Sequence, residues 1–317
     1  MSSFVLAAGA GGVRELAPDD PGIAAEAGFV WQHVELADDE TLALKWRETI
    51  PEVVLTALGA AETRPRCEQF GDGALINLRG PALEPETASD KLVSIRIWSQ
   101  RDSVVTVSRR SLSATPDVVA AMRAGQLTDP GDLVAAFARR ISNELDPQVA
   151  ALGDSVDDCE TEMEQSAAYR LRQVITVSRS EAIAFRRFIA PDRDALAALA
   201  GLRVEWLSDE DRLHVREAAD RFARMAEELD AVRERSALLH EQLTDLRAEL
   251  VEERSLSIAV VAFVFLPLTF ITGLLGMNVE GIPYAMEPWA FGAVVALCVV
   301  LALAVFGWFL LSKWLKR

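Results

Sequence analysis

Hydrophobic positions follow three different patterns along the chain, and the C-terminal one is the plainest. Residues 258–275 (IAVVAFVFLPLTFITGLL) and 289–311 (WAFGAVVALCVVLALAVFGWFLL) run for eighteen and twenty-three positions without a charge. At helical rise they reach about 27 and 35 Å, enough to cross a hydrocarbon layer. Uncharged runs of this length leave no solvated face, which disfavours two helices buried in a soluble core. Upstream, Val215, Ala218, Phe222, Met225, Leu229, Val232, Ser236, Leu239, Leu243, Leu246 and Leu250 alternate steps of three and four, the seam of a coiled coil. Neither Gly nor Pro interrupts residues 208–266, and Ser208-x-x-Asp211 has the form of a capping box, so one helix is expected from there to Leu275. A second seam, Leu145, Val149, Leu152, Val156, Cys159 and Met163, precedes a periodic stretch over 171–189 that is expected to end at Pro191. Helices from these stretches are expected to pack antiparallel along the long one.

Residues 1–115 alternate at shorter period. Strands are predicted at 29–36, 74–79, 92–98 and 104–108, between turns rich in Gly, Pro and Asp, and helices at 39–60, 116–125 and 129–145. The expected fold is therefore an α+β membrane protein. It has an N-terminal α/β cytoplasmic domain (1–145), a helical coiled-coil stalk (146–254) and a C-terminal two-helix transmembrane hairpin (255–317). The spans of that hairpin are about 256–276 and 289–311, and residues 277–288 form the loop between them.

Charge sets the orientation of the hairpin. Arg247, Arg254, Lys313, Lys316 and Arg317 flank its open end and the loop has no basic residue, so both termini are expected in the cytoplasm and the loop in the periplasm. Trp289 and Trp308 stand near opposite ends of the second span, where amphipathic rings settle at the interface. The net charge is −16, and residues 255–317 hold three basic and two acidic side chains, which leaves −17 on residues 1–254. That balance argues against nucleic acid as a partner and favours cations. Three scattered cysteines, Cys67, Cys159 and Cys298, indicate neither a disulfide framework nor a zinc knuckle. The apolar patch at residues 4–10 lacks the preceding basic residue of a cleaved signal peptide. No nucleophile–base pair, phosphate loop or paired catalytic carboxylates stands out, so an enzyme and an enzymatic cofactor are not expected.

The run PLTFITGLLGMN, residues 267–278, follows the long predicted helix and precedes a second span. In that position it resembles the CorA superfamily of divalent metal-ion transporters. TRPRCEQFGDGALINLRG (63–80) and KLVSIRIW (91–98) are similar to the cytoplasmic domain of the same superfamily, so the likeness covers nearly the whole chain. Within it, NVEGIP (278–283) and SKWLKR (312–317) resemble the zinc-transporting ZntB branch, while the acidic Glu280 resembles magnesium members. The resemblance implies a homopentamer in the cell inner membrane, with cytoplasmic domains forming a funnel and the five first spans lining a central pore. It makes Gly276, Met277 and Asn278 the signature at the outer mouth.

Five Asn278 carboxamides would hold a hydrated divalent ion through its waters, with Glu280 and Glu287 concentrating cations by their field. A cap at the end of the helix is the other role open to Asn278. Inward, Gly273, Thr269, Leu266, Ala262, Ile258 and Ser255 share one helical face, the candidate pore lining. Thr269 and Ser255 offer hydroxyls, and Leu266 and Ile258 offer apolar rings. Thr269 has as its alternative a bond to the carbonyl four residues back. Zinc is the first expectation for the cargo, as the ZntB resemblance implies, and magnesium, cobalt or nickel the second. The face holds neither His nor Cys, so a zinc ion would pass hydrated or on transient oxygen ligands rather than stripped. A membrane-anchored coiled-coil scaffold without transport is the reading from another class. His33, His214 and His240 are expected to be structural or solvated. Asp157, Asp158 and Glu160, in an acidic stretch, are candidates for a regulatory metal, although a solvated face is the plainer reading.

Overall fold

A computed structural model describes residues 3–9, 12–16, 28–36, 46, 49–60, 64–84, 91–163, 168–277, 281–282, 284 and 286–314. By its internal contacts the chain divides into two units, Met1–His240 and Glu241–Arg317.

The first unit is built on seven strands: β1 (Phe4–Gly9), β2 (Gly12–Leu16), β3 (Phe29–Glu35), β4 (Arg66–Phe70), β5 (Gly73–Pro81), β6 (Leu92–Gln100) and β7 (Ser103–Ser108). They form one sheet in the order β2-β1-β3-β7-β6-β5-β4. Every neighbouring pair is antiparallel except β3 with β7, where Trp31 stands opposite Val104. Helix α1 (Glu52–Gly59) covers one face, where Val54 and Leu58 meet Leu75, Trp98, Val105 and Val107. On the other face Gly80 of β5 lies so close to helix α3 (Pro130–Met163) that an added Cβ would come within 2.9 Å of Ile141. Both faces are covered, so β5 and β6 are buried almost throughout, including the polar Asn77, Arg96 and Ser99.

All four predicted strands form, each shifted by at most two residues at an end. Three others were not anticipated. The apolar patch near the N-terminus is β1, and β2 and β4 are the two sheet edges, whose charged and largely exposed positions mask their extended form. Of the helix expected over 39–60, Glu52–Gly59 forms α1. Residues 39–45, 47 and 48 lie outside the described ones, and Pro51 disfavours helical backbone at Ile50 before it. Helix α2 (Ala114–Arg123) ends in a Schellman arrangement, with Gly125 at φ 71°, its N–H on Met122 O and the Gln126 N–H on Ala121 O.

Helix α3 merges the helix predicted from 129 with the seam that follows, passing through Pro147. Leu145, Val149, Leu152, Val156 and Cys159 are buried. Helix α4 (Ala168–Gly201) does not stop at Pro191 but continues for ten residues beyond it, because tertiary packing outweighs the single lost backbone bond. Helix α5 (Asp209–Leu275) has 67 residues and reaches the bound predicted for it, a length of about 100 Å. Its capping box forms: the Ser208 N–H donates to Asp211 Oδ2 at 2.8 Å and the Asp211 N–H to Ser208 Oγ at 3.1 Å.

The expectation of antiparallel packing along α5 holds for α4 but not for α3. Arg221 reaches Ser142 and Arg235 reaches Glu160, so α3 and α5 advance in the same direction, as two intervening chain reversals require. The α5 seam is buried from Val215 to Leu243, whereas Leu246 and Leu250 are 42% and 52% exposed.

The second unit contains the rest of α5 and helix α6 (Ala290–Trp314). Both helices are long and apolar enough to cross a membrane.

Candidate functional site

The apolar end of α5 has two unlike sides. Val260, Val264, Pro267, Leu268, Ile271 and Leu275 are half-buried and share one side. On its flank the Phe263 ring meets Phe309 of α6 at 6.1 Å. At 3.6 residues per turn, about 100° per residue, Ser255, Ile258, Ala262, Leu266, Thr269 and Gly273 fall on the opposite side. All six are exposed in the single chain, Ile258 to 72% and Leu266 to 76%. An uncovered apolar face in a lone hairpin is a surface for lipid or for further copies.

The hydroxyl of Thr269 donates to Phe265 O at 2.8 Å, the intrahelical bond that the sequence left open. That bond consumes the proton and not the oxygen, so the remaining lone pairs stay available to a donor or a cation. Thr272 makes the same kind of bond to Leu268 O at 3.0 Å. Pro267 lacks an N–H, so it leaves the carbonyl of Phe263 without its helical donor. Phe263, Leu266, Pro267, Thr269 and Phe270 line a shallow, almost wholly apolar depression around it.

The helix closes at the signature. The Gly276 N–H still reaches Thr272 O at 2.9 Å, and a Cβ there would stand 3.0 Å from that oxygen, tighter than a side chain normally allows. Met277 is half-exposed at the end of the helix. Asn278 and Glu280 lie outside the described residues. Beyond them Gly281 and Tyr284 take positive φ, 108° and 61°. Tyr284 packs on Trp289 with ring centroids 5.2 Å apart, and its carbonyl receives the Glu287 N–H. The Glu287 side chain is exposed.

In the first unit, Asp157 and Glu160 both accept Arg235 of α5, the latter at 2.7 Å. These candidates for a regulatory metal thus already face a cation of the chain, and Asp158 stands exposed beside them. His33 is buried, as a structural histidine should be. Trp31 Nε1–H donates to Thr106 Oγ1 at 2.8 Å, and the Thr106 hydroxyl in turn faces His33 Nδ1 at 2.8 Å. Burial lowers His33 to about 4, with Glu35 opposing in part. A group the sequence did not point to joins Asp129, Asp132 and Asp211, whose carboxylate oxygens lie within 4.8 Å of one another. Its only sequence signal was the capping box. Each carboxylate accepts backbone N–H at the start of α3 or α5, and burial, ahead of their mutual repulsion, raises Asp129 and Asp211. Three oxygens in this arrangement suit a hard cation.

Residues 26–317 match the family described as CorA-like Mg2+ transporter protein. The chain is 31% identical over 310 residues to the zinc transport protein ZntB of Yersinia enterocolitica, covering 97% of this chain and 94% of that protein. Among solved structures, the full-length CmaX protein superposes with a TM-score of 0.80 at 26% identity, covering 99% of this chain and 97% of CmaX. The complete CorA magnesium transporter of Methanocaldococcus jannaschii also gives 0.80, at 18% identity, covering 98% and 97% of the two chains.

Proposed function

The chain belongs to the family of CorA-like Mg2+ transporter proteins, and we propose that it moves a divalent cation, zinc first, across the inner membrane through a pore shared by five copies. The observation that carries this reading is the uncovered face of α5. Six residues from Ser255 to Gly273 turn away from the hairpin's own packing and lead to Gly276-Met277, the end of the span. Five such faces meeting on an axis would cover one another and enclose a narrow apolar path, with Thr269 as its oxygen ring. The Thr269 hydroxyl, its proton held by Phe265 O, would present lone pairs to a passing ion. Asn278 follows Met277 directly and would hold a hydrated ion at the outer mouth. Glu280 and Glu287 would attract it there, and both chain ends would lie in the cytoplasm.

Zinc is supported by the likeness to ZntB over almost the full length of both chains. The chemistry of the face supports the second reading, magnesium, cobalt or nickel, because its only polar groups are hydroxyls and a harder ion accepts oxygen more readily. In either case the ion travels with its waters or with transient oxygen ligands. A regulatory ion at Asp157, Asp158 and Glu160 would enter only by displacing Arg235.

The deciding experiment is uptake of zinc, magnesium, nickel and cobalt into proteoliposomes at two pH gradients. Zinc uptake above the other ions is the expected result. Robust magnesium uptake without zinc would reverse the order, and no flux of any ion, with Asn278→Ala changing nothing, would leave only a membrane-anchored scaffold.

A further inference from the structure

Asp192 sits one residue past Pro191 inside α4 and is 0% exposed. Its Oδ1 accepts the Arg79 N–H of β5 at 3.0 Å, while Oδ2 is buried without a hydrogen-bond partner. The location follows from the sheet. Strand β4 pairs with β5 only as far as Asn77, so beyond that point α4 lies against the edge of β5, and Asp192 supplies the acceptor that the missing strand would have offered. A fully buried carboxylate with a single hydrogen bond is poorly compensated. The charge that acts on it is that of Arg79, whose guanidinium lies 4.0 Å over the Phe188 ring and donates to Leu92 O at 3.2 Å.

Several charged groups on the surrounding elements are engaged elsewhere. On β4, Arg66 pairs with Glu68; on α3, Arg140 pairs with Asp117 of α2 and Glu144 takes the Ser113 hydroxyl. On α4 itself Arg193 pairs with Asp194, Arg187 stacks by Phe188, Glu181 holds Lys91, and Arg186 holds Asp230 of α5. Burial, ahead of the help from Arg79, accordingly pushes Asp192 well above the ordinary carboxylate range.

We propose that Asp192 carries a proton while α4 lies against β5, and that this contact is a proton-responsive joint between the helix and the sheet. Losing the proton to solvent leaves a poorly compensated anion in the joint and loosens α4. The same helix grips α5 through Arg186 and Asp230 at 3.1 Å, so the protonation state of Asp192 biases the helix that runs on into the first apolar span.

Infrared spectroscopy of the full chain in detergent tests this directly. The expected result is a carbonyl band of a buried carboxylic acid at neutral pH. The band moves on isotopic labelling of aspartate, is missing from Asp192→Asn, and is lost as pH rises. No such band at any pH, or one that persists in Asp192→Asn, overturns the proposal, and the labelled wild type gives the first result even if the variant does not fold. Thermal unfolding supplies an independent reading. A carboxyl whose folded value lies above its unfolded value stabilises fully at low pH and loses that contribution as pH rises. Wild type should therefore fall behind the permanently neutral Asp192→Asn as pH increases. A melting difference constant over pH would overturn the joint.

Discussion

Thr269 and His33 show the same local device turned to different ends: a threonine hydroxyl fixed by hydrogen bonds. At Thr269 the proton goes to Phe265 O and the oxygen faces the uncovered side of α5. If that oxygen lines the proposed path, Thr269→Val keeps the shape and removes the ligand, and metal uptake into proteoliposomes should fall about tenfold, one charge-assisted hydrogen bond's worth of barrier. Thr269→Ser should restore most of it, and a valine variant as fast as wild type would remove Thr269 from the path. At His33 the Thr106 hydroxyl receives Trp31 and faces Nδ1, which fits a neutral ring buried against Phe4, 5.1 Å between centroids. Because burial lowers His33 from 6.5 to about 4, the native state binds fewer protons than the unfolded state between those values. The stability His33 contributes is present in full above the upper value and is lost as pH falls toward the lower one, a change of about 3 kcal/mol. His33→Gln should therefore lose less stability than wild type over that window in pH-dependent unfolding. Parallel curves for the two proteins would mean that His33 does not titrate there.

Elements differ in how plainly the sequence announces them, and the difference follows from what covers each one. The long helix α5 could be read from end to end because its seam, its capping box and its uncharged span each concern one helix and its own period. The buried strands could be read because β-branched and other apolar residues dominate them between turn residues, despite buried polar positions such as Asn77 and Arg96. Edge strands β2 and β4 could not, since their mostly exposed, charge-bearing residues resemble a loop as much as a strand. Pro191 misled for a related reason: the cost of a proline is local and legible, whereas the packing of Ile189, Ala195, Leu196 and Leu199 that overrides it appears only in three dimensions. Of the candidate site, the shared face from Ser255 to Gly273 was legible from spacing, but the Arg235 pairs of Asp157 and Glu160 were not, because they join residues seventy-five or more positions apart. The seam also yields a prediction at this scale. Leu246 and Leu250 continue its register but remain exposed in one chain, which suits a contact between copies. Leu246→Lys with Leu250→Lys should lower the mass of the detergent complex while leaving far-ultraviolet circular dichroism unchanged. An unaltered mass would mean that Leu246 and Leu250 join no copies.

At the scale of the whole molecule, one hairpin cannot form the proposed path, because two helices enclose no channel and the candidate face of α5 has no cover of its own. Transport by this route therefore makes a quantitative demand on assembly that a carrier acting as a single chain does not. Gly273 supplies the means of testing it: a Cβ built there meets nothing within 4 Å in the single chain, so Gly273→Phe leaves the hairpin's own packing alone and projects a ring toward the proposed axis. Suppose equal amounts of wild-type and Gly273→Phe chains assemble at random and a single ring blocks a pore of five. Open pores are then only those with five wild-type subunits, about one in thirty-two. Uptake by such a mixture should fall to about 3% of the wild-type rate rather than to half of it. Intermediate mixing ratios should trace a fifth-power curve whose exponent counts the subunits around the path. A fall in proportion to the fraction of blocked chains would show that each chain transports alone, and the face from Ser255 to Gly273 would then be a surface for lipid.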